Sequence, residues 1–216
     1  MSDFRIQGFV LGSVATNCYI VFHEKTREAL IIDPADSPGL IMQKVRELEV
    51  RPTAILLTHG HFDHVMAAEE IRKAYGCSLY AGENETRVLG DAGLNLSGYM
   101  GARKLTLRAD VLVRDGQVLD LIGFPWQVIA TPGHTEGSVC YYIEPERVLI
   151  SGDTLFCQSL GRTDFPTGSS RKIVESITKR LFVLPDDTIV YSGHGEQTTI
   201  GFEKKYNPVA VYGDMI

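Results

Sequence analysis

Ile55-Leu56-Leu57-Thr58-His59-Gly60-His61-Phe62-Asp63-His64 decides how the rest of the chain is read. An apolar run of strand character reaches Thr58, and His59, His61, Asp63 and His64 follow directly. On extended backbone alternate residues point the same way, so His59 and His61 can grip one ion together. Asp63 falls where the next helix begins and His64 in its first turn, which directs this pair at a neighbouring position. Asp63 alone would be read as a helix N-cap, a role compatible with binding a metal.

Three more strand-like runs end on ligand-type residues. Val128-Ile129-Ala130-Thr131 leads to Pro132-Gly133-His134, Val148-Leu149-Ile150-Ser151 to Gly152-Asp153, and Ile189-Val190-Tyr191-Ser192 to Gly193-His194. Ligands of open α/β sheets bind outside the carboxyl ends of strands, so these ends are expected to converge on one edge. His134 and His194 would add one imidazole to each pair, and the two oxygens of Asp153 could bridge two cations. Imidazole with carboxylate suits Zn, Fe or Mn, and paired ions are a known hydrolytic arrangement. A closed structural zinc is disfavoured, because no cysteine joins the cluster and the ligands outnumber one tetrahedron. His23, in the charged setting His23-Glu24-Lys25, reads as solvated.

The surrounding pattern mixes strands and helices. Strands are predicted at Ala15–Phe22, Ala29–Asp33, Ala54–Thr58, Val118–Ile122, Gln127–Thr131, Ser138–Ile143, Val148–Ser151 and Thr188–Tyr191. Helices are predicted at Ser37–Glu49, Asp63–Tyr75, Ser169–Val183 and Ile200–Tyr206, the last ended by Asn207-Pro208. This combination predicts a layered α/β sandwich in one domain over 1–216. Glu83–Asp110, with four glycines and Asn95, Tyr99 and Met100, has poor periodicity and is predicted to form a lid or binding wall.

The 216 residues carry 44 % hydrophobic and 22 % charged side chains, which is ordinary globular composition. A net charge of −6 argues against a nucleic-acid partner. No stretch reads as a signal peptide or reaches the length of a membrane span, so no membrane partner is expected. Cys18, Cys77, Cys140 and Cys157 lie far apart without a CxxC pair, as suits reduced thiols in a cytoplasmic protein. Cys157, close after Asp153, reads as a buried apolar thiol.

Thr58-His59-Gly60-His61-Phe62-Asp63-His64 resembles the signature of the metallo-β-lactamase superfamily, and more narrowly that of its glyoxalase II-like hydrolases. Pro132-Gly133-His134-Thr135, Ser151-Gly152-Asp153-Thr154-Leu155-Phe156 and Gly193-His194-Gly195 are similar to its later motifs, as Asn17-Cys18-Tyr19 and Asp33-Pro34 are to its early strands. Gly161-Arg162-Thr163-Asp164 and Asn207-Pro208 resemble the short, single-domain subgroup. The resemblance implies an αββα sandwich with a dinuclear site at one edge of two sheets. It implies that His59, His61 and His134 hold one metal, that Asp63, His64 and His194 hold the other, and that Asp153 bridges them. Two divalent ions are implied, with Zn first and Fe or Mn as alternatives. The C-terminal helical domain with which full-length glyoxalase II holds glutathione has no expected counterpart here.

The expected reaction is hydrolysis of a small acyl thioester, of hydroxyacylglutathione type, by attack of a metal-bridging hydroxide, with Asp63 and Asp153 as catalytic carboxylates. No additional general acid stands at a motif position, which favours a thiolate leaving group. Arg162, Tyr99 and Met100 are the expected substrate contacts. The alternatives are a mononuclear-iron persulfide dioxygenase, whose family resembles this chain in Gly161-Arg162-Thr163-Asp164-Phe165, and a lactone or ester hydrolase. A nuclease fits the acidic balance poorly, and a non-catalytic binding protein fits the intact ligand set poorly.

Overall fold

A computed structural model describes residues 2–100 and 103–212. The first half builds a sheet of six strands in sequence order: β1 Phe4–Leu11, β2 Thr16–His23, β3 Glu28–Ile32, β4 Arg51–Leu56, β5 Ser78–Gly82 and β6 Val111–Val113. The first three strands pair antiparallel, and β3 to β6 run parallel. The second half adds β7 Val118–Leu121, β8 Phe124–Ala130, β9 Val139–Ile143, β10 Val148–Gly152, β13 Ile189–Ser192 and β14 Thr198–Thr199. They form a second six-stranded sheet in the order β14-β13-β10-β9-β8-β7. A small hairpin, β11 Leu155–Phe156 with β12 Ser159–Leu160, projects beside it.

Three apolar clusters explain the layering. Leu30, Ile32 and Leu56 of the first sheet pack against Trp126, Tyr141 and Ile150 of the second. Neighbouring residues on the same strands face the other way: Ile31, Ile55 and Leu79 meet Ile41 and Val45 of α1 (Pro38–Glu47) and Ile71 of α3 (Ala68–Tyr75). On the far side, Leu149 and Val190 meet Ile173 of α5 (Ser170–Ser176), Ile177 and Leu181 of the following π-helical stretch, and Ile200 of α6 (Ile200–Tyr206). Side chains alternate across a strand, and here both faces are covered, so the central strands read as unbroken apolar runs. The result is the expected αββα sandwich.

The expected helix Asp63–Tyr75 is broken into α2 (Phe62–Val65) and α3, because Ala67 N donates to Pro34 O at 3.0 Å instead of continuing the helical ladder. His61, with an extended backbone, takes the N-cap position of α2, and Asp63 lies inside its first turn. Glu83–Asp110 is not wholly irregular: α4 (Thr86–Gly90) follows a short 3₁₀ turn. Asn207-Pro208 ends α6 and also starts another helix, α7 (Pro208–Tyr212), since Asn207 Oδ1 accepts from Val209 N and proline suits a first helical turn. No helix among the described residues is long and apolar enough to cross a membrane.

Candidate metal centre

Four strand ends deliver the ligand-type side chains to one edge of the sandwich. The loop after β4 carries His59 and His61 and runs into α2 with Asp63 and His64. His134 follows β8, Asp153 follows β10 and His194 follows β13. The edge closes because Val139 N donates to Thr58 O and Tyr141 Oη to Leu57 O, both at 2.9 Å across the two sheets. Glycine is required where the loops cross. A Cβ on Gly193 would stand 2.1 Å from Asp153 Oδ1, and Gly152 holds φ +50° with Thr58 in the space a Cβ would take.

All seven expected side chains come together. His61 Nδ1 lies 2.9 Å from His134 Nε2. Asp153 reaches His64 Nε2 at 3.3 Å through Oδ1 and His134 Nε2 at 3.4 Å through Oδ2, so it stands between the two groups of histidines. His194 Nε2 is 3.4 Å from Asp63 Oδ2 and 3.5 Å from Asp153 Oδ2. Ligating atoms of His59, His61 and His134 lie within 4.8 Å of one another, as do those of Asp63, His64 and His194 and those of His59, His64 and Asp153.

The fit to a metal can be tested on the polar atoms themselves. His59 Nε2, His61 Nε2, His64 Nε2 and Asp153 Oδ1 are buried without a hydrogen-bond partner. Each orphaned buried group costs about 1–3 kcal/mol, and folded proteins rarely keep several together. Lone pairs converging from separate strand ends match the donor set of a divalent cation.

The outward nitrogens are fixed. His59 Nδ1 donates to Thr58 Oγ1 at 3.1 Å, His64 Nδ1 to Asp33 Oδ2 at 3.0 Å, and His134 Nδ1 to the carbonyl of Arg162 at 2.7 Å. Placing the proton on Nδ1 leaves Nε2 as a lone pair facing the centre. Thr58 Oγ1 in turn donates to Asp33 Oδ2 at 2.6 Å, so Asp33 steers both His59 and His64.

Burial, together with its histidine neighbours, drives the His59 pKa well below the ordinary imidazole value and that of His61 to about 3, which keeps both neutral. Burial opposes charge on His64 and His194 as well, but Asp153 and Asp63 outweigh it, raising His64 well above the usual value and His194 to about 9. The same pairs hold Asp63 and Asp153 below the ordinary carboxylate range against the effect of burial. Asp63 and Asp153 are thus ionised, the form in which a carboxylate would bind a cation, and a cation held there would take the place of the protons on His64 and His194.

The cluster floors a pocket of about 320 Å³. Of the expected substrate contacts, Met100 and Arg162 line it. Tyr99 does not: it is 80 % exposed and stands outside the pocket, because the turn after Leu96 points it at solvent. Cys157 is half-buried in a separate groove with Thr198 and Phe202, and its neighbour Phe156 faces the histidines instead. His23 is half-buried against the Phe124 ring at 5.4 Å rather than solvated.

Some contributors have no role that the motifs assign. Asp33 stands in the sequence at the end of an apolar strand and in the early-strand resemblance of Asp33-Pro34, neither of which places it at the centre. Thr16 Oγ1 donates to Asp63 Oδ2 at 3.1 Å from the start of β2. Glu85 is fully buried beneath both histidine loops, accepting from Gly60 N at 2.7 Å and Thr135 Oγ1 at 2.9 Å.

Known proteins are similar to this chain over most of its length. The chain is 38 % identical over 199 residues to the probable metallo-hydrolase YqgX of Bacillus subtilis, covering 92 % of this chain and 93 % of that one. It is 33 % identical to the hydroxyacylglutathione hydrolase GloC of Haemophilus influenzae, covering 89 % and 91 %. Its structure superposes on the B3 metallo-beta-lactamase BLEG-1 with a TM-score of 0.90 at 38 % identity, over 95 % and 99 % of the two chains. TTHA1623, solved in a di-iron-bound form, gives a TM-score of 0.84 at 33 % identity, over 94 % and 98 %. The family profile matches residues 11–194, and the chain belongs to the metallo-beta-lactamase superfamily.

Proposed function

We propose that this chain is a dinuclear metal-dependent hydrolase of small acyl thioesters, of glyoxalase II type. The observation that carries the reading is the set of converging, unpartnered ligand atoms on His59, His61, His64 and Asp153. His59, His61 and His134 would hold one ion and Asp63, His64 and His194 the other. Asp153, which stands between the two groups of histidines, would serve both. Two divalent ions bound there supply Lewis acidity toward a carbonyl and acidify a water molecule at neutral pH.

The chain's own groups favour a thioester. Asp63, ionised and fixed by Thr16, is positioned to orient an attacking water through its carboxylate. Among the described residues lining the pocket there is no lysine, tyrosine or glutamate, and its histidines and aspartates are the residues that would hold the ions, which leaves none to protonate a poor leaving group. Arg162 is already paired with Asp164. A thiolate departs without that help, whereas an amine does not. The similarity to GloC supports the same class, and the net charge of −6 suits a small-molecule substrate better than a nucleic acid. Zinc is the first choice of ion for a His/Asp donor set, with iron or manganese as alternatives.

Elemental analysis of purified protein, alongside turnover of lactoylglutathione, a lactone and a persulfide, tests the proposal. Two ions per chain and preferential thioester hydrolysis are expected. One iron per chain with oxygen uptake on the persulfide would refute it.

A further inference from the structure

Above the ligating cluster the pocket changes character. Leu96, Met100, Phe156, Leu160 and Phe165 wall it, and Arg162 is the single lysine or arginine among the described lining residues. The Arg162 guanidinium is engaged elsewhere. It makes a two-pronged contact with Asp164 at 2.7 and 2.6 Å and lies 3.9 Å over the Phe165 ring. The walls therefore offer hydrocarbon, with no free charge, to whatever is attached to the scissile group.

Leu96 is kept in place against its own preference. Its φ is +67°, a left-handed backbone that bulky side chains avoid. Asn95 imposes it: its carbonyl accepts from Phe62 N at 2.9 Å, its Oδ1 accepts from Ser97 N at 2.9 Å, and its Nδ2 donates to Leu105 O at 2.8 Å. Leu96 is consequently buried against the pocket, while Met100 is 56 % exposed at the mouth. Backbone strain at a ligand wall, beside a deformable methionine lip, is the signature of a surface built for apolar contact.

We propose that this cup receives a hydrocarbon arm, so that the substrate is a thioester bearing an uncharged apolar chain on its acyl or its thiol side. The inference rests on the thioesterase reading for the reaction and on the walls for the arm. The cavity of 320 Å³ holds roughly ten water volumes, enough for a chain of about six carbons beside the carbonyl. Each fully buried methylene is worth up to about fourfold in kcat/KM, so four half-buried methylenes give about fifteenfold.

The test uses metal-loaded protein and two substrate series. One lengthens the acyl chain from acetyl to hexanoyl on mercaptoethanol, and the other lengthens the thiol from ethanethiol to hexanethiol on an acetyl group. A rise of about fifteenfold in kcat/KM along one series is expected, and the series that rises identifies the side. Leu96→Asn retains the left-handed backbone, which asparagine tolerates, and Met100→Gln retains side-chain length; each reduces the rise to about threefold or less. Calorimetry with the corresponding alkyl thioethers, which cannot be hydrolysed, should show Kd falling by a similar factor with chain length. Turnover and thioether binding that are both indifferent to chain length overturn the cup and leave the thioesterase reading intact. Thioether binding that tightens with length, without any thioester turnover, overturns the thioesterase reading and leaves the cup.

Discussion

Replacing Glu85 with glutamine removes a negative charge from beneath both histidine loops while keeping the side chain's size. The carboxylate is fully buried, and what surrounds it are donors: Gly60 N at 2.7 Å, Thr135 Oγ1 at 2.9 Å and the Gly137 amide. Glutamine must aim its own amide nitrogen at one of them. That leaves a buried donor without an acceptor, at about 1–3 kcal/mol. An opposing effect depends on pH. Burial pushes the Glu85 carboxyl from its ordinary 4.5 to about 7, despite the three donors.

A carboxyl raised on folding stays protonated longer in the folded chain than in the unfolded one. Its contribution is therefore fully present below pH 4.5 and is lost as pH rises toward about 7. Between about pH 5 and about pH 8 that loss comes to roughly 2–3 kcal/mol. Glutamine has no proton to lose, so Glu85→Gln should be clearly destabilised near the lower pH and close to the parent near the higher one. Urea unfolding of both proteins, loaded with the same metal and followed by the fluorescence of the fully buried Trp126, measures this. The metal's own pH dependence cancels in the difference between parent and variant. A difference that changes by less than about 0.5 kcal/mol between the two pH values would show that Glu85 titrates no differently folded and unfolded.

Asp33→Asn should weaken metal binding by about 10–100-fold, because Asp33 Oδ2 accepts from both His64 Nδ1 and Thr58 Oγ1 while Oδ1 accepts from Thr58 N, so an amide must set its NH₂ group against one of these donors. Chelator competition measures it, and affinity within about twofold of the parent would defeat the reasoning. Asp63→Ala and His194→Ala should each lose one of two ions, counted by elemental analysis, while the histidines after β4 and β8 keep the other. A single ion, unchanged in either variant, contradicts the pairing. Arg162→Ala should raise KM by no more than about threefold with kcat nearly kept, because it is the Arg162 carbonyl, not the guanidinium, that touches His134. A fall in kcat of more than about thirtyfold would place the guanidinium on the substrate.

What could be read in advance follows from how each residue acts. His59, His61, Asp63 and His64 act through backbone spacing over a few positions, and spacing is visible in a linear chain. His134, Asp153 and His194 were legible because each ends an apolar strand, and parallel strand ends share an edge. The division of the strands into two sheets was carried only by the family resemblance. Periodicity alone could not assign it, since Leu30 and Ile31 look equally apolar and differ only in which layer they face. β1 and β5 went unread for opposite reasons. β1 is an edge strand with Arg5, Gln7 and Gly8 breaking its pattern, whereas β5 is too short and too near Gly76 and Gly82 to stand out.

The residues that escaped are those whose partners lie far away in sequence. Asp33 meets Thr58 and His64, and Glu85 meets Gly60 and Thr135, across separations of 25 to 50 positions. Asp33-Pro34 was legible only as part of an early-strand resemblance and Glu85 not at all, because the role of a buried carboxylate is defined by the donors folded around it. Tyr99 and Leu96 make the same point in reverse. Its place in the aperiodic stretch Glu83–Asp110 suggested Tyr99 as a wall, but Asn95 fixes the local turn and turns Leu96 inward instead. The candidate ligands of this site are thus written in short-range spacing and in the ends of apolar strands. Their aim, and the walls that select what reaches them, are set by single polar side chains holding distant loops together.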